Sequence, residues 1–139
     1  MAIDMQFLTE EHIKLIHLNA IEKFGGDSGY FILTNDRIES ILAQQYPIFG
    51  HDKYPTVFQK AAMLMYFFIN GHCFVDGNKR VGIQSAIVFL DVNGYDDKLI
   101  DEEGYSKTIE VATIELSEME RDSYIETLAV WLSQRFIRC

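Results

Sequence analysis

An all-α fold is predicted, a compact single domain of about six to seven helices over residues 1–139. Three observations carry this reading. Apolar residues recur at helical spacing through most of the chain, and the segments they define are bounded by capping residues, glycines or prolines. No stretch alternates apolar and polar side chains strongly enough to compete as a strand. At 139 residues and 48% apolar side chains, the chain can bury one real core but is short for two domains.

The elements follow in order. Thr9 caps a first helix with Glu10 and Glu11 in its opening turn and Leu8 and Ile13 at staple positions. Ile13, Ile16, Ala20, Ile21 and Phe24 continue it, and Gly25-Gly26 stops it. After a loop through Gly29, "TNDRIESILAQQ" places Ile38, Ile41 and Leu42 on one face and ends before Tyr46-Pro47. "PIFGHDKYP" is turn-rich and exposed, either a plain connection or a flap facing a substrate. Pro55 suits the first position of a third helix, "PTVFQKAAMLMYFFIN", which is apolar on nearly all sides and so belongs in the middle of a bundle. "NKRVGIQSAIVFLDVNG" forms a fourth, with Ile83, Ala86, Ile87 and Leu90 in register and Gly94 as its stop. A fifth covers about Glu102 to Ile114. Ser117 and Glu120 make a capping box before "RDSYIETLAVWLSQRF", where Tyr124, Leu128, Trp131 and Leu132 return to the core. There is no internal repeat and no low-complexity segment.

Composition excludes several function classes. A formal charge of −9 opposes binding to nucleic acid by the domain itself or to an anionic membrane, so any phosphate site must be local. Cys73 and Cys139 show no paired spacing, which argues against a disulfide framework or structural zinc and fits a reducing, cytoplasmic setting. No apolar run approaches the ~18 residues of a membrane span, and "MAIDMQFLTEEHIKL" lacks the pattern of a secretory leader.

The chemistry concentrates in "HCFVDGNKR", residues 72–80. If Gly77 opens a helix, the amides of Gly77, Asn78 and Lys79 are first-turn donors that attract an anion. Lys79 as a point charge and Arg80 as a bidentate fork suit a chain of phosphates, although cations at a helix N-terminus oppose its dipole unless an anion binds there. Gly77 lets a phosphate approach the backbone. Asp76 is misplaced in a pure anion site, and a Mg²⁺ ion held by one carboxylate and by substrate phosphates resolves this, with N-capping as the plainer role for Asp76. His72 is suited to act as general base on a hydroxyl. Phe74 faces inward and holds the loop. The run lacks the spacing of a P-loop, and "GGDSG" at Gly25 to Gly29 is a helix stop and turn rather than a dinucleotide fingerprint.

These residues resemble the signature of the Fic/Doc family. That signature is a histidine, a phenylalanine two on, an acidic residue two further, glycine or alanine, asparagine, glycine or lysine, and arginine. All seven positions match, and the lysine form resembles the death-on-curing (Doc) toxin branch. "LTEEHIKLIHLNAIEKFGG", "RIESIL", "YPTVFQKAAMLMYFFINGHCFVDGNKR", "AIVFLDVNGY" and the final helical stretch are similar to Doc-like proteins in order and spacing. The resemblance implies a Fic-type helical bundle, ATP or another nucleotide with Mg²⁺, and transfer of a nucleotide-derived group to a Ser or Thr hydroxyl of a protein. It assigns His72 as base, Asp76 as metal ligand, and Gly77, Asn78, Lys79 and Arg80 to donor binding. Lys79 replaces a second glycine and Ile83 a further arginine of the AMP-transferring branch, so phosphoryl transfer is implied over AMP transfer. Translation elongation factor Tu is the implied target. The self-inhibitory helix motif of many Fic proteins has no match, so a small antitoxin acting in trans is the expected inhibitor.

Plainer readings stand beside these. A lone histidine closing a buried helix is ordinarily structural, and it is the neighbours of His72 that shift the balance. His12, His17 and His51 read as surface or structural residues, Tyr66, Phe67 and Phe68 as core, and Cys73 as a buried inert thiol. The alternatives in function are a Fic-type transferase with another donor and a non-catalytic module that binds a nucleotide or a protein.

Overall fold

The computed structural model describes residues 4–139, so the first three positions of the predicted domain lie outside the described residues. Six helices occur among the described residues: α1 Glu10–Phe24, α2 Thr34–Ala43, α3 Val57–Asn70, α4 Asn78–Val92, α5 Asp101–Thr113 and α6 Glu118–Ser133. The helical reading therefore holds, and one apolar core draws residues from every helix. Among the described residues, no helix is long and apolar enough to cross a membrane.

The helix starts are set by side chains. Thr9 Oγ1 accepts from the His12 amide at 3.4 Å while His12 Nδ1 accepts from the Thr9 amide at 3.0 Å, so His12 completes a capping box. Ser117 and Glu120 close the expected box on α6 at 3.2 and 3.0 Å. At α3 the expectation for Pro55 is corrected: Thr56 is the N-cap, reciprocally bonded to Gln59, and the helix opens at Val57. The physical reason is that this box needs a backbone N–H on the capping residue, which Thr56 has and proline lacks.

The middle helix is α3, buried without interruption from Lys60 to Tyr66. It packs chiefly on α4, and the two backbones approach closely at Gly82. A Cβ there would lie 2.4 Å from Ile69 Cγ1 and 2.9 Å from the Met65 carbonyl oxygen. Lys60 is 1% exposed in this apolar setting. Its Nζ donates to the Gln45 carbonyl at 2.9 Å and to both oxygens of Asp52 at 2.8 Å, which satisfies the charge and ties the loop carrying Asp52 to the bundle. That loop turns tightly through Phe49 and Gly50, both at positive φ as in a type I′ turn, with Ile48 and His51 exchanging backbone hydrogen bonds at 2.9 Å.

Two strands depart from the purely helical expectation: β1 Tyr95–Asp97 pairs antiparallel with β2 Phe136–Arg138, Tyr95 opposite Arg138. Three residues are too few to show a countable alternation, and their pairing partners are far apart in the chain.

Candidate active site

The site is the turn between the two most tightly packed helices. α3 ends at Asn70, and α4 begins after Gly77, its N-cap, held in the left-handed region at φ +83°. The residues between them, 71–77, must therefore reverse the chain in one short span. His72 is exposed and also left-handed, at φ +49°. A non-glycine residue there costs about 1–3 kcal/mol and persists where its surroundings over-determine it.

Those surroundings are explicit. The His72 carbonyl accepts from Arg37 Nη1 at 2.6 Å, and the Cys73 carbonyl from Thr34 Oγ1 at 2.5 Å. Phe74, 1% exposed, is gripped at both backbone groups by Asn78: its N–H donates to Oδ1 at 3.1 Å and its carbonyl accepts from Nδ2 at 2.9 Å. The Val75 amide donates to the Gly29 carbonyl at 3.2 Å. The Asp76 carbonyl accepts from His17 Nε2 at 3.0 Å, and the buried imidazole of His17 stacks on Phe74, centroids 3.8 Å apart and 4° from parallel. Burial holds the His17 pKa below its ordinary value despite the Asp76 carbonyl, and because a carbonyl can only accept, Nε2 is the donor in this bond. Burial also pushes the Cys73 thiol up to about 11, in keeping with an inert residue.

The predicted residues fare differently. Phe74 faces inward, as expected. Asp76 is exposed, and its carboxylate sits in a backbone cradle: Oδ1 accepts from the Gly77 amide at 2.9 Å and Oδ2 from the Asp27 amide at 3.2 Å. Two expectations are thereby corrected. The Gly77 N–H is taken by Asp76 and is not a free anion donor, and the N-cap position is held by Gly77 and not by Asp76. Asn78 keeps a first-turn amide, but its side chain is spent on Phe74. Arg80 lays its guanidinium on the ring of Phe24, 3.3 Å from the centroid, at the end of α1 that leads into Gly26. Lys79 is exposed and in no salt bridge among the described residues.

The donor set fits Mg²⁺ of one kind. Among the described residues no group of three or more His, Cys, Asp or Glu side chains converges, so a cage built from protein alone is not present. Asp76 offers one exposed carboxylate, steadied by two amides and with further lone pairs outward. That suits an ion which keeps its waters and shares phosphate oxygens. Gly26 makes the cradle possible, since a Cβ at this position would stand 2.6 Å from Asp76 Oδ2.

Four supporting residues escaped the sequence reading of the site: His17, Gly26, Thr34 and Arg37. His17 had a signal, because it falls four residues after Ile13 and three before Ala20, on the buried stripe of α1. For Arg37 and Thr34 there is none, as both look like ordinary helix-start residues.

Comparison with known proteins agrees with this anatomy. The profile of the Fic/DOC family matches residues 7–90, more than half of the chain. The "Toxin Doc" of Mycolicibacterium smegmatis (strain ATCC 700084 / mc(2)155) is 38% identical over 55 residues, 40% of this chain and 42% of that protein. The match thus spans under half the length of that relative. "Protein kinase doc" of Escherichia phage P1 is 28% identical over 90 residues, 65% of this chain and 70% of that protein. A family signature placed on the turn between α3 and α4, inside a matched helical bundle, leads to one statement: the chain belongs to the Fic/Doc family.

Proposed function

We propose that the protein is a Doc-like toxin that transfers the γ-phosphoryl group of ATP to a Ser or Thr hydroxyl of a protein. The observation that carries this reading is the turn itself. An exposed imidazole, a cradled carboxylate and a helix N-terminus with two cations follow one another within nine residues. Lys79 and Ile83, in place of a glycine and an arginine of the AMP-transferring branch, favour the γ-phosphorus, as does the name "Protein kinase doc" of one relative. Asp76 would hold Mg²⁺, which would supply positive charge to offset that of the donor phosphates. His72 takes the hydroxyl proton as the new O–P bond forms, and ADP leaves as the β–γ bridge breaks. Asn78, Lys79 and Arg80 hold donor phosphates through first-turn amides and cationic side chains.

The name "Toxin Doc" of the other relative supports a toxin; a small antitoxin acting in trans and a cytoplasmic setting complete the proposal. Translation elongation factor Tu is the first target to test. With γ-labelled ATP, Mg²⁺ and either that factor or a cytosolic extract, a protein band should take up label, and α-labelled ATP should give none. Label arriving from the α-position moves the assignment to AMP transfer, and no label with bound ATP moves it to a binding module. His72→Ala should lower the rate by about 10²- to 10⁴-fold.

A further inference from the structure

Four carbonyl oxygens of the His72–Asp76 turn accept a hydrogen bond from a side chain. One donor, Asn78, belongs to the signature. Arg37 and Thr34 come from α2 and His17 from α1, more than thirty residues upstream. They grip the turn at its two ends and beside His72. Arg37 holds the carbonyl of the proposed base, and His17 holds the carbonyl of the proposed metal ligand.

We propose that Arg37 and His17 are positioning residues for phosphoryl transfer, setting the backbone of His72 and Asp76 from a platform of α1 and α2. The proposal rests on the roles given to His72 and Asp76 above. Arg37 is half-buried, and its guanidinium is backed by the ring of Phe31, 5.4 Å from the centroid, so its direction is constrained. Its bond to the His72 carbonyl is charge-assisted and short at 2.6 Å. That carbonyl follows a left-handed φ of +49°, so the bond from Arg37 helps hold His72 in a backbone conformation it would not keep unaided, and with it the direction of its Cα–Cβ bond. At the other end, the ring of His17 is fixed face to face on buried Phe74, so its Nε2–H has one direction in which to donate. The separation between base and carboxylate is thus a property of where α1 and α2 sit, and neither side chain has to touch substrate for its loss to be felt.

The test uses the full chain and two readouts. Arg37→Met should lower kcat for label transfer roughly 10²-fold while KM for ATP stays within about twofold, because donor binding is left intact. His17→Phe keeps an aromatic ring for Phe74 but removes the donor, and should show the same split. His17→Gln restores an N–H and should recover most of kcat. Independently of activity, amide exchange at Phe74 and Val75 should quicken by roughly tenfold in Arg37→Met and His17→Phe, with α3 amides unchanged. Unaltered exchange at Phe74 and Val75 overturns the proposal, as does acceleration that extends equally through α3, which marks general destabilisation. If His72→Ala keeps full transfer, the functional reading fails and the exchange pattern alone decides whether Arg37 and His17 hold the turn. If His72→Ala is inactive while Arg37→Met and His17→Phe match the wild type in kcat, the functional reading stands and the positioning roles fall.

Discussion

Gly26 shows how little space separates a cradled carboxylate from a displaced one. Its φ of +117° disfavours any side chain, and a Cβ would sit 2.6 Å from Asp76 Oδ2. Gly26→Ala is therefore expected to push the carboxylate out of its cradle and raise the Mg²⁺ concentration needed for half-maximal transfer by about tenfold, the scale of disturbing a ligand's support. A titration of transfer rate against Mg²⁺ checks this. Gly25→Ala, where nothing lies within 4 Å of the added Cβ, should leave the Mg²⁺ midpoint alone and lose stability from its own positive φ. At this scale the nine-residue run made the proposed chemistry readable, since imidazole, carboxylate, amides and cations suggest roles by type. The grip of Arg37, Thr34 and Gly26 on that run was not legible, because each acts through a carbonyl or an approach distance that no side-chain pattern encodes.

Helices here are defined by their ends and by single close contacts. Gly82→Ala should destabilise the fold by about 1–3 kcal/mol in urea unfolding, since its Cβ meets the Met65 carbonyl and Ile69 with no room to give. α5 and α6 are joined by Tyr124, whose hydroxyl donates to Glu110 Oε2 at 2.5 Å. That bond, with Lys107 beside it, holds Glu110 below its usual 4.5, while burial and then Glu110 hold Tyr124 above its usual 10. The signs follow from linkage: the folded state resists protonating Glu110 as pH falls below 4.5, and resists ionising Tyr124 as pH rises above 10. Stability from this pair is present between those limits and lost beyond either. Tyr124→Phe should flatten both edges of a stability-against-pH curve measured by thermal unfolding. Ser117 and Glu120 were readable as a cap because the box is a local pattern. Thr56 and Pro55 both carry helix-start signals, and the reciprocal bond with Gln59, which a proline cannot make, decides for Thr56.

For the molecule as a whole, Lys60 is the unexpected charge. Its side chain is 2% exposed and that of Asp52 30%, so the pair lies at the boundary of the core, where loss of one partner strands the other incompletely. Lys60→Met is expected to cost about 1–3 kcal/mol, short of a fully buried pair, and to loosen the segment around Asp52. Urea unfolding gives the first quantity, and amide exchange at Tyr54, whose N–H donates to Asp52 Oδ1 at 3.2 Å, gives the second. Taken alone, the sequence established what local rules encode: a bundle of about six to seven helices from period and caps, a buried middle helix from its continuous apolar surface, and the chemical inventory of residues 72–80. Folding decided which distant residues meet. The pairing of Tyr95–Asp97 with Phe136–Arg138, the burial of Lys60, and the hold of α1 and α2 on the turn before α4 all join segments separated in sequence. Periodicity and capping act over a few residues, whereas these contacts depend on how whole helices cross, and that follows from packing the entire core at once.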